Sequence, residues 1–265
     1  MTPKDEIENL AGQAVTDLTR IDGCDATEFF KAELADGSVV TAKLSPLAQT
    51  EARMMRQIGQ FALAPQPRFV DDRVLIRDFV EVEAGSPAHW RSFGLSVRRL
   101  HAQTGDHYGW EENFASRSVP VLNTPCDDWA TFWAKHRLSP FVSCLPEGLS
   151  RKLEEVIEAT PDLLPAKVRP ALLHGDLWQE NILFSGGQGW MIDPACYYGH
   201  TEVDLAMLNL FGQPAECFWE GYGHTELGYL TRQPVYQLWP ALMHFKHFGD
   251  RYRTMVGRLM STIRL

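Results

Sequence analysis

Apolar residues in the first third of the chain change their spacing in a way that sets out a small sheet and a helix. In "FFKAELADGSVVTAKL" (29–44) they gather in two β-prone runs joined by Ala35-Asp36-Gly37-Ser38, a turn of the Asp-Gly kind that predicts a hairpin. The segment from Asp5 to Leu18 reads as a helix before it. After it, in "TEARMMRQIGQF", Glu51, Met55 and Ile58 recur at helical spacing and share one face, which puts an acid on an inward stripe. "APQPRFV" and "RVLIRDFVE" then predict two more strands, split at Asp71-Asp72.

A Gly85-Ser86-Pro87 connector follows Val82, and turn chemistry of that kind marks a boundary. The reading is an N-terminal lobe over 1–82 and a C-terminal lobe over 83–265. The second lobe is mainly helical: "HWRSFGLSVRRLHAQ", "CDDWATFWAKHRLSPFV", "GLSRKLEEVIEATPDLL", "EVDLAMLNLF", and a long C-terminal pair broken at Pro240. The expected fold class is therefore α+β, a small antiparallel sheet with one helix ahead of a larger helical region. The cleft between the two is the natural place for a site.

Composition narrows the function. The 265 residues are 45% hydrophobic and 22% charged, with a formal net charge of −9, which suits a globular enzyme and offers no basic surface for nucleic acid. Five scattered cysteines without a CxxC pair point to a reducing cytoplasm and to neither a disulfide framework nor a zinc knuckle. No apolar run approaches membrane-spanning length. A membrane partner is not expected.

Candidate chemistry lies in "LLHGDLWQENILF" (172–184), where acids and an asparagine interrupt apolar runs; a core seldom holds carboxylates without a partner or ligand. Ile182-Leu183-Phe184, a Gly-rich stretch and Trp190-Met191-Ile192-Asp193 read as strand, turn and strand. Pairing symmetric about Gly187 would set Asn181 opposite Asp193. An amide oxygen beside a carboxylate is a hard-oxygen site suited to magnesium carried by nucleotide phosphates. Asp176, on the loop beside that pair, is placed to accept the proton of an attacking hydroxyl. An Asp, an Asn five positions on, and a second Asp after a hairpin is also the kinase order of catalytic loop and metal-binding aspartate. His174 reads as a structural residue bonding the loop backbone. Asp204 fits a capping box opened by Thr201.

"HGDLWQEN", "IDPACYYGHTEVDLAMLNLFG", "HYGWEEN" and "DDWATFWAKHRL" resemble the fructosamine (ketosamine) kinase family, a branch of the aminoglycoside-phosphotransferase-like kinases. The resemblance implies a bilobal protein-kinase-like fold, ATP and Mg2+ as cofactors, and phosphorylation of a sugar hydroxyl, O3, on small-molecule ketosamines or glycated proteins. The phosphorylated product then breaks down and frees the amine. Residue by residue it implies Asp176 as catalytic base, Asn181 and Asp193 as metal ligands, and Trp178 as a substrate-side aromatic. It implies Lys43 on the nucleotide phosphates with Glu51 as its helix partner, and the segment around Gly23 as the phosphate-covering loop, which holds a single glycine and the thiol Cys24.

The chain departs from the family pattern at Thr201 (commonly Arg), Gln213 (commonly Gly) and Gln179-Glu180 (often Ser-Gly), all of which bear on the acceptor pocket. Two rival functions follow: a kinase of aminoglycosides, choline or amino alcohols, and a non-catalytic nucleotide-binding pseudokinase. His244 and His247 read as helix-packing residues, and Trp129, Phe132 and Trp133 as core.

Overall fold

The computed structural model describes residues 1–21, 28–117, 119–165 and 167–265; Gly23 and Cys24 lie outside them. Helix α1 (Pro3–Ala11) opens on a capping box in which Thr2 and Asp5 satisfy each other's backbone amides, with Pro3 in its first turn. Gly12 ends it in the left-handed region at φ 69°, so the predicted helix to Leu18 stops short. The β-branched run beyond it forms β1 (Val15–Ile21) instead. The hairpin β2 (Glu28–Leu34) and β3 (Val39–Leu44) turns at the expected Asp-Gly, and helix α2 (Ala48–Gly59), β4 (Pro67–Val70) and β5 (Val74–Asp78) follow. The sheet is antiparallel, in the order β1-β2-β3-β5-β4.

Strand alternation divides this sheet cleanly. One face, with Phe30, Ala32, Val40, Ala42, Val74 and Ile76, packs with Ile7 of α1 into a core of its own. The opposite face carries Phe29, Thr41, Lys43, Leu75 and Arg77; Phe29 stands across from Lys43, and Thr41 across from Arg77. Leu75 of that face packs against Ala48 and Ala52 of α2. The basic side chains Lys43 and Arg77 therefore point away from the apolar core.

Beyond the connector come α3 (Pro87–His101), the short hairpin β6 (Phe114–Ser116) and β7 (Val119–Val121), α4 (Trp129–Trp133) with a π turn at Ala134–Leu138, and α5 (Glu147–Leu163). The chain then forms β8 (Ala171–Leu173), the hairpin β9 (Ile182–Ser185) and β10 (Gln188–Met191), and β11 (Tyr197–Gly199), which pairs with β8. Helices α6 (Glu202–Leu208), α7 (Glu216–Tyr222), α8 (Tyr229–Phe248) and α9 (Arg253–Thr262) complete it.

Trp129, Phe132 and Trp133 are fully buried in the largest core, together with Tyr197, Val235 and Leu238. Helix α8 is not broken at Pro240 but runs through both Pro234 and Pro240. Burial of Val235 to Met243 holds it against the lost hydrogen bonds, and the interruption falls at Gly249 (φ 72°). No helix of the described residues is long and apolar enough to cross a membrane.

Candidate active site

The loop between β8 and β9 carries His174, Asp176, Trp178 and Asn181, and its shape is fixed from behind. Gly175 sits at φ 81°, where a Cβ would stand 2.1 Å from the carbonyl oxygen of Ala195, so only glycine lets the two segments approach. His174 is fully buried: its Nε2 lies 3.0 Å from the carbonyl of Ile192 and its Nδ1 accepts from the amide of Asp176. Donation from Nε2 to a carbonyl leaves Nδ1 unprotonated, the neutral tautomer. Burial pushes the ring below its usual value, consistent with that state. The structural role expected for His174 is the observed one.

Asp204 departs from its expected role. Thr201 makes no side-chain cap on α6, and the Asp204 carboxylate, 0% exposed, turns inward to the loop. It accepts from the amide of His174 (2.7 Å), the amide of Gly175 (2.9 Å) and the ring of His101 (3.1 Å). An ionised acceptor of two backbone N–H groups is the strong case of hydrogen bonding. The capping pattern at α6 concealed this role, because backbone amides far away in sequence leave no local signal.

Asp176 is half-buried, and its main-chain and side-chain oxygens both accept from Asn181 Nδ2, at 2.7 and 2.9 Å. Burial lifts its carboxyl to about 7, helped by the negative charges of Asp193 and Asp204 and opposed by the Asn181 bond and by Lys43. That value is close to ideal for a general base at neutral pH.

The hairpin register differs by one residue from expectation. Gly186 (φ 58°) and Gly187 (φ 76°) form a two-residue turn, and two central residues at positive φ give a turn whose twist matches the right-handed twist of the strands, so Met191 faces Ile182. Asn181 thus stands across from Ile192, whose amide it receives at 3.1 Å, and not from Asp193. Asp193 leaves the strand in the left-handed region at φ 50°, an uncommon conformation for a non-glycine residue.

Its Oδ1 meets Lys43 Nζ at 3.3 Å and Arg77 Nη1 at 3.2 Å. Burial pushes the Asp193 carboxyl up, but Lys43 and Arg77 outweigh it and hold the group at about 2. Lys43 also pairs with Glu51 at 2.8 Å, and Glu51 accepts from Ser45 Oγ. Burial pulls the Lys43 ammonium down, and the Asp193 and Glu51 charges reverse that to a net rise.

The structure brings Lys43, Glu51, Asp193, Asn181 and Asp176 to one place, and it adds Arg77, which the sequence reading missed. A signal existed. Two residues beyond Leu75 in a strand of period two, Arg77 had to share the face that also carries Lys43. Trp178 stands apart from these charges, half-buried, with its ring edge-on to Phe211 at 5.7 Å and to His244 at 6.0 Å.

A divalent cation fits the oxygens present. Both contacts of Asn181 Nδ2 point at Asp176, which leaves the amide Oδ1 uncommitted, and among the described residues Asp193 Oδ2 has no hydrogen-bond partner. One neutral and one ionised oxygen suit a hard cation better than a soft one.

The family model for fructosamine kinase matches residues 5–264. The chain belongs to the fructosamine kinase family. A Synechocystis protein carrying the name ketoamine kinase is 33% identical over 195 residues, 70% of this chain and 66% of that one. A crystal structure of a Thermobifida fusca protein bearing the fructosamine-3-kinase name superposes with a TM-score of 0.92 at 29% identity, over 98% of each chain. An amicoumacin kinase solved in complex with AMP-PNP, Ca2+ and Ami has a TM-score of 0.66 at 13% identity, covering 98% of this chain and 92% of that one. That likeness shows the fold alone, a bilobal kinase-like architecture.

Proposed function

We propose that this chain transfers the γ-phosphoryl group of ATP to a sugar hydroxyl, O3, of a ketosamine. Asp176 accepts the hydroxyl proton. Asn181 Oδ1 and Asp193 hold Mg2+, which supplies charge neutralisation at the polyphosphate when bound. Lys43, steadied by Glu51, and Arg77 contribute fixed positive charge on the nucleotide side, and Trp178 walls the acceptor. Transfer of this kind depends on alignment and charge more than on covalent help from the protein.

The observation that carries the reading is the gathering of Lys43, Glu51, Arg77 and Asp193 beside the Asp176–Asn181 pair in a chain of the fructosamine kinase family, and the contrast between the two carboxyls agrees with it. Asp176 is lifted to about 7 while Asp193 is held at about 2, which separates a proton acceptor from a permanent anion in one site. Phosphorylation at O3 puts a good leaving group on the carbon next to the ketone, so loss of a C1 proton and of inorganic phosphate leaves an imine that water hydrolyses to the free amine and a 3-deoxy dicarbonyl sugar, a deglycation. The cytoplasm, where ATP is supplied, is the proposed setting, with residues 1–82 and 83–265 as the two lobes.

A coupled ATP assay with ribulose- and fructose-derived amines, choline, ethanolamine and an aminoglycoside tests the proposal. Turnover with the ketosamines and loss of the product's amine-bound sugar are expected. Turnover only with the amino alcohols would refute the acceptor, and ATP binding without any turnover would refute the reaction.

A further inference from the structure

Helix α2 presents Glu51 to Lys43 on the sheet, yet its apolar face is packed into the other lobe. Met54, Met55 and Ile58 share a core with Leu172, Leu177, Ile182 and Met191, in and around the loop that bears Asp176. Ala48 and Ala52 meet the sheet at Leu75. The polar side of the helix is pinned from the second lobe as well. Glu112, just before β6, accepts from Arg53 Nε at 2.8 Å, from Arg53 Nη2 at 2.7 Å and from Thr50 Oγ1 at 3.0 Å. A guanidinium fork on both oxygens of a carboxylate fixes direction as well as distance. Thr50 and Arg53, neighbours across one helical turn, stand on either side of Glu51 in the chain.

Glu112 is itself tied to the interior of its lobe. The buried Asn123 donates from Nδ2 to the Glu112 carbonyl at 3.2 Å, and its backbone amide donates to Asn113 Oδ1 at 2.7 Å. Asn123 Oδ1 accepts at 2.8 Å from Arg137, which is 0% exposed and lies over the rings of Phe132 and Tyr197. A guanidinium buried in this way keeps its place through those bonds and rings. A half-exposed ion pair contributes little to stability by itself, so the consequence of this clamp is where it puts α2.

We propose that Glu112 is a positioning residue for phosphoryl transfer: by gripping Thr50 and Arg53 it sets α2 at the place where Glu51 meets Lys43. The inference rests on the nucleotide-side role given to Lys43 above and deepens it. Two acids compete for the Lys43 ammonium, Glu51 at 2.8 Å and Asp193 at 3.3 Å. A helix released from Glu112 would leave Lys43 to Asp193 alone, drawn toward the proposed metal ligand and away from the phosphates.

Steady-state kinetics of E112Q, R53M, E51Q, E51Q/E112Q and the swapped pair R53E/E112R test the clamp. By charge alone, E112Q removes an anion and would favour a polyphosphate, whereas R53M removes a cation and would disfavour it. Positioning gives both the same sign: kcat/KM for ATP should fall about tenfold in each, the effect of losing one charge-assisted contact, with KM for the acceptor unchanged. E51Q/E112Q should be no worse than E51Q, and the swapped pair should recover most of the loss. Opposite signs in E112Q and R53M, additive losses in E51Q/E112Q, or wild-type ATP kinetics in E112Q would overturn the role. Equal melting temperatures confirm intact folding; should E112Q melt early, R53M, which keeps Glu112 in place, carries the comparison. The kinetics use whichever acceptor the wild type phosphorylates, and calorimetric titration with ADP and magnesium makes the same comparison without turnover. Failure of the ketosamines would thus refute the acceptor assigned above while the clamp stands or falls on its own variants.

Discussion

Replacing Asp176 by Asn in the nucleotide-free protein should abolish turnover and at the same time stabilise the fold. Burial, with the nearby charges of Asp193 and Asp204, lifts the carboxyl from 3.8 to about 7 despite the Asn181 bond, and a shift of about 3 units corresponds to about 4 kcal/mol. The side chain keeps some access to water, so about 2–4 kcal/mol is the expected effect. Below pH 4 both the folded and the unfolded chain hold this proton and nothing is lost. Between pH 4 and 7 the unfolded chain ionises first, so wild-type stability falls as pH rises; above pH 7 the whole penalty is present. Asn carries no charge and can offer its amide oxygen to Asn181. Urea unfolding of both proteins from pH 4.5 to 8.5 should therefore show a gap in favour of the variant that widens up to pH 7 and is constant beyond. A gap independent of pH, or a variant less stable at pH 8, would refute the account of Asp176 as a buried base held near neutrality.

The other predictions concern the base's titration and its supports. For the wild type, kcat/KM should rise about tenfold per pH unit on the acid side and level off above about pH 7, as a pH–rate profile of the free enzyme would show. Asp204→Ala leaves two buried backbone amides and the His101 ring without an acceptor. It should cost about 3–5 kcal/mol in denaturant unfolding and remove turnover. Arg77→Met removes one of the two cations on Asp193 Oδ1. Calorimetric titration with ADP and magnesium should show affinity weakened about tenfold, the order of one charge-assisted contact, with Lys43 still in place.

Elements specified by neighbouring residues were readable in the sequence. The Asp36-Gly37 turn, the α2 stripe with Glu51 facing inward, and the buried Trp129-Phe132-Trp133 face each follow from local periodicity or turn chemistry. The missed features depend on distance in the chain or on a single backbone angle. Gly12 in the left-handed region ended α1 and turned an apparent helix into an edge strand. A two-glycine turn shifted the hairpin by one residue, and Asp193 reaches its partners through a left-handed twist instead of cross-strand pairing. Asp204 and Arg77 are committed to residues between about 30 and 116 positions away.

The supports of the two cleft acids have separate origins. Asp176 takes its position from Asn181, His174 and Asp204, all on the helical side, whereas Asp193 is gripped by two cations borne on the sheet. A breathing motion that parted the halves would take the sheet's cations from Asp193 and leave in place the hydrogen bonds that orient Asp176. On the roles proposed above, the acceptor seat stays assembled through an opening and only the phosphate grip is rebuilt at closure.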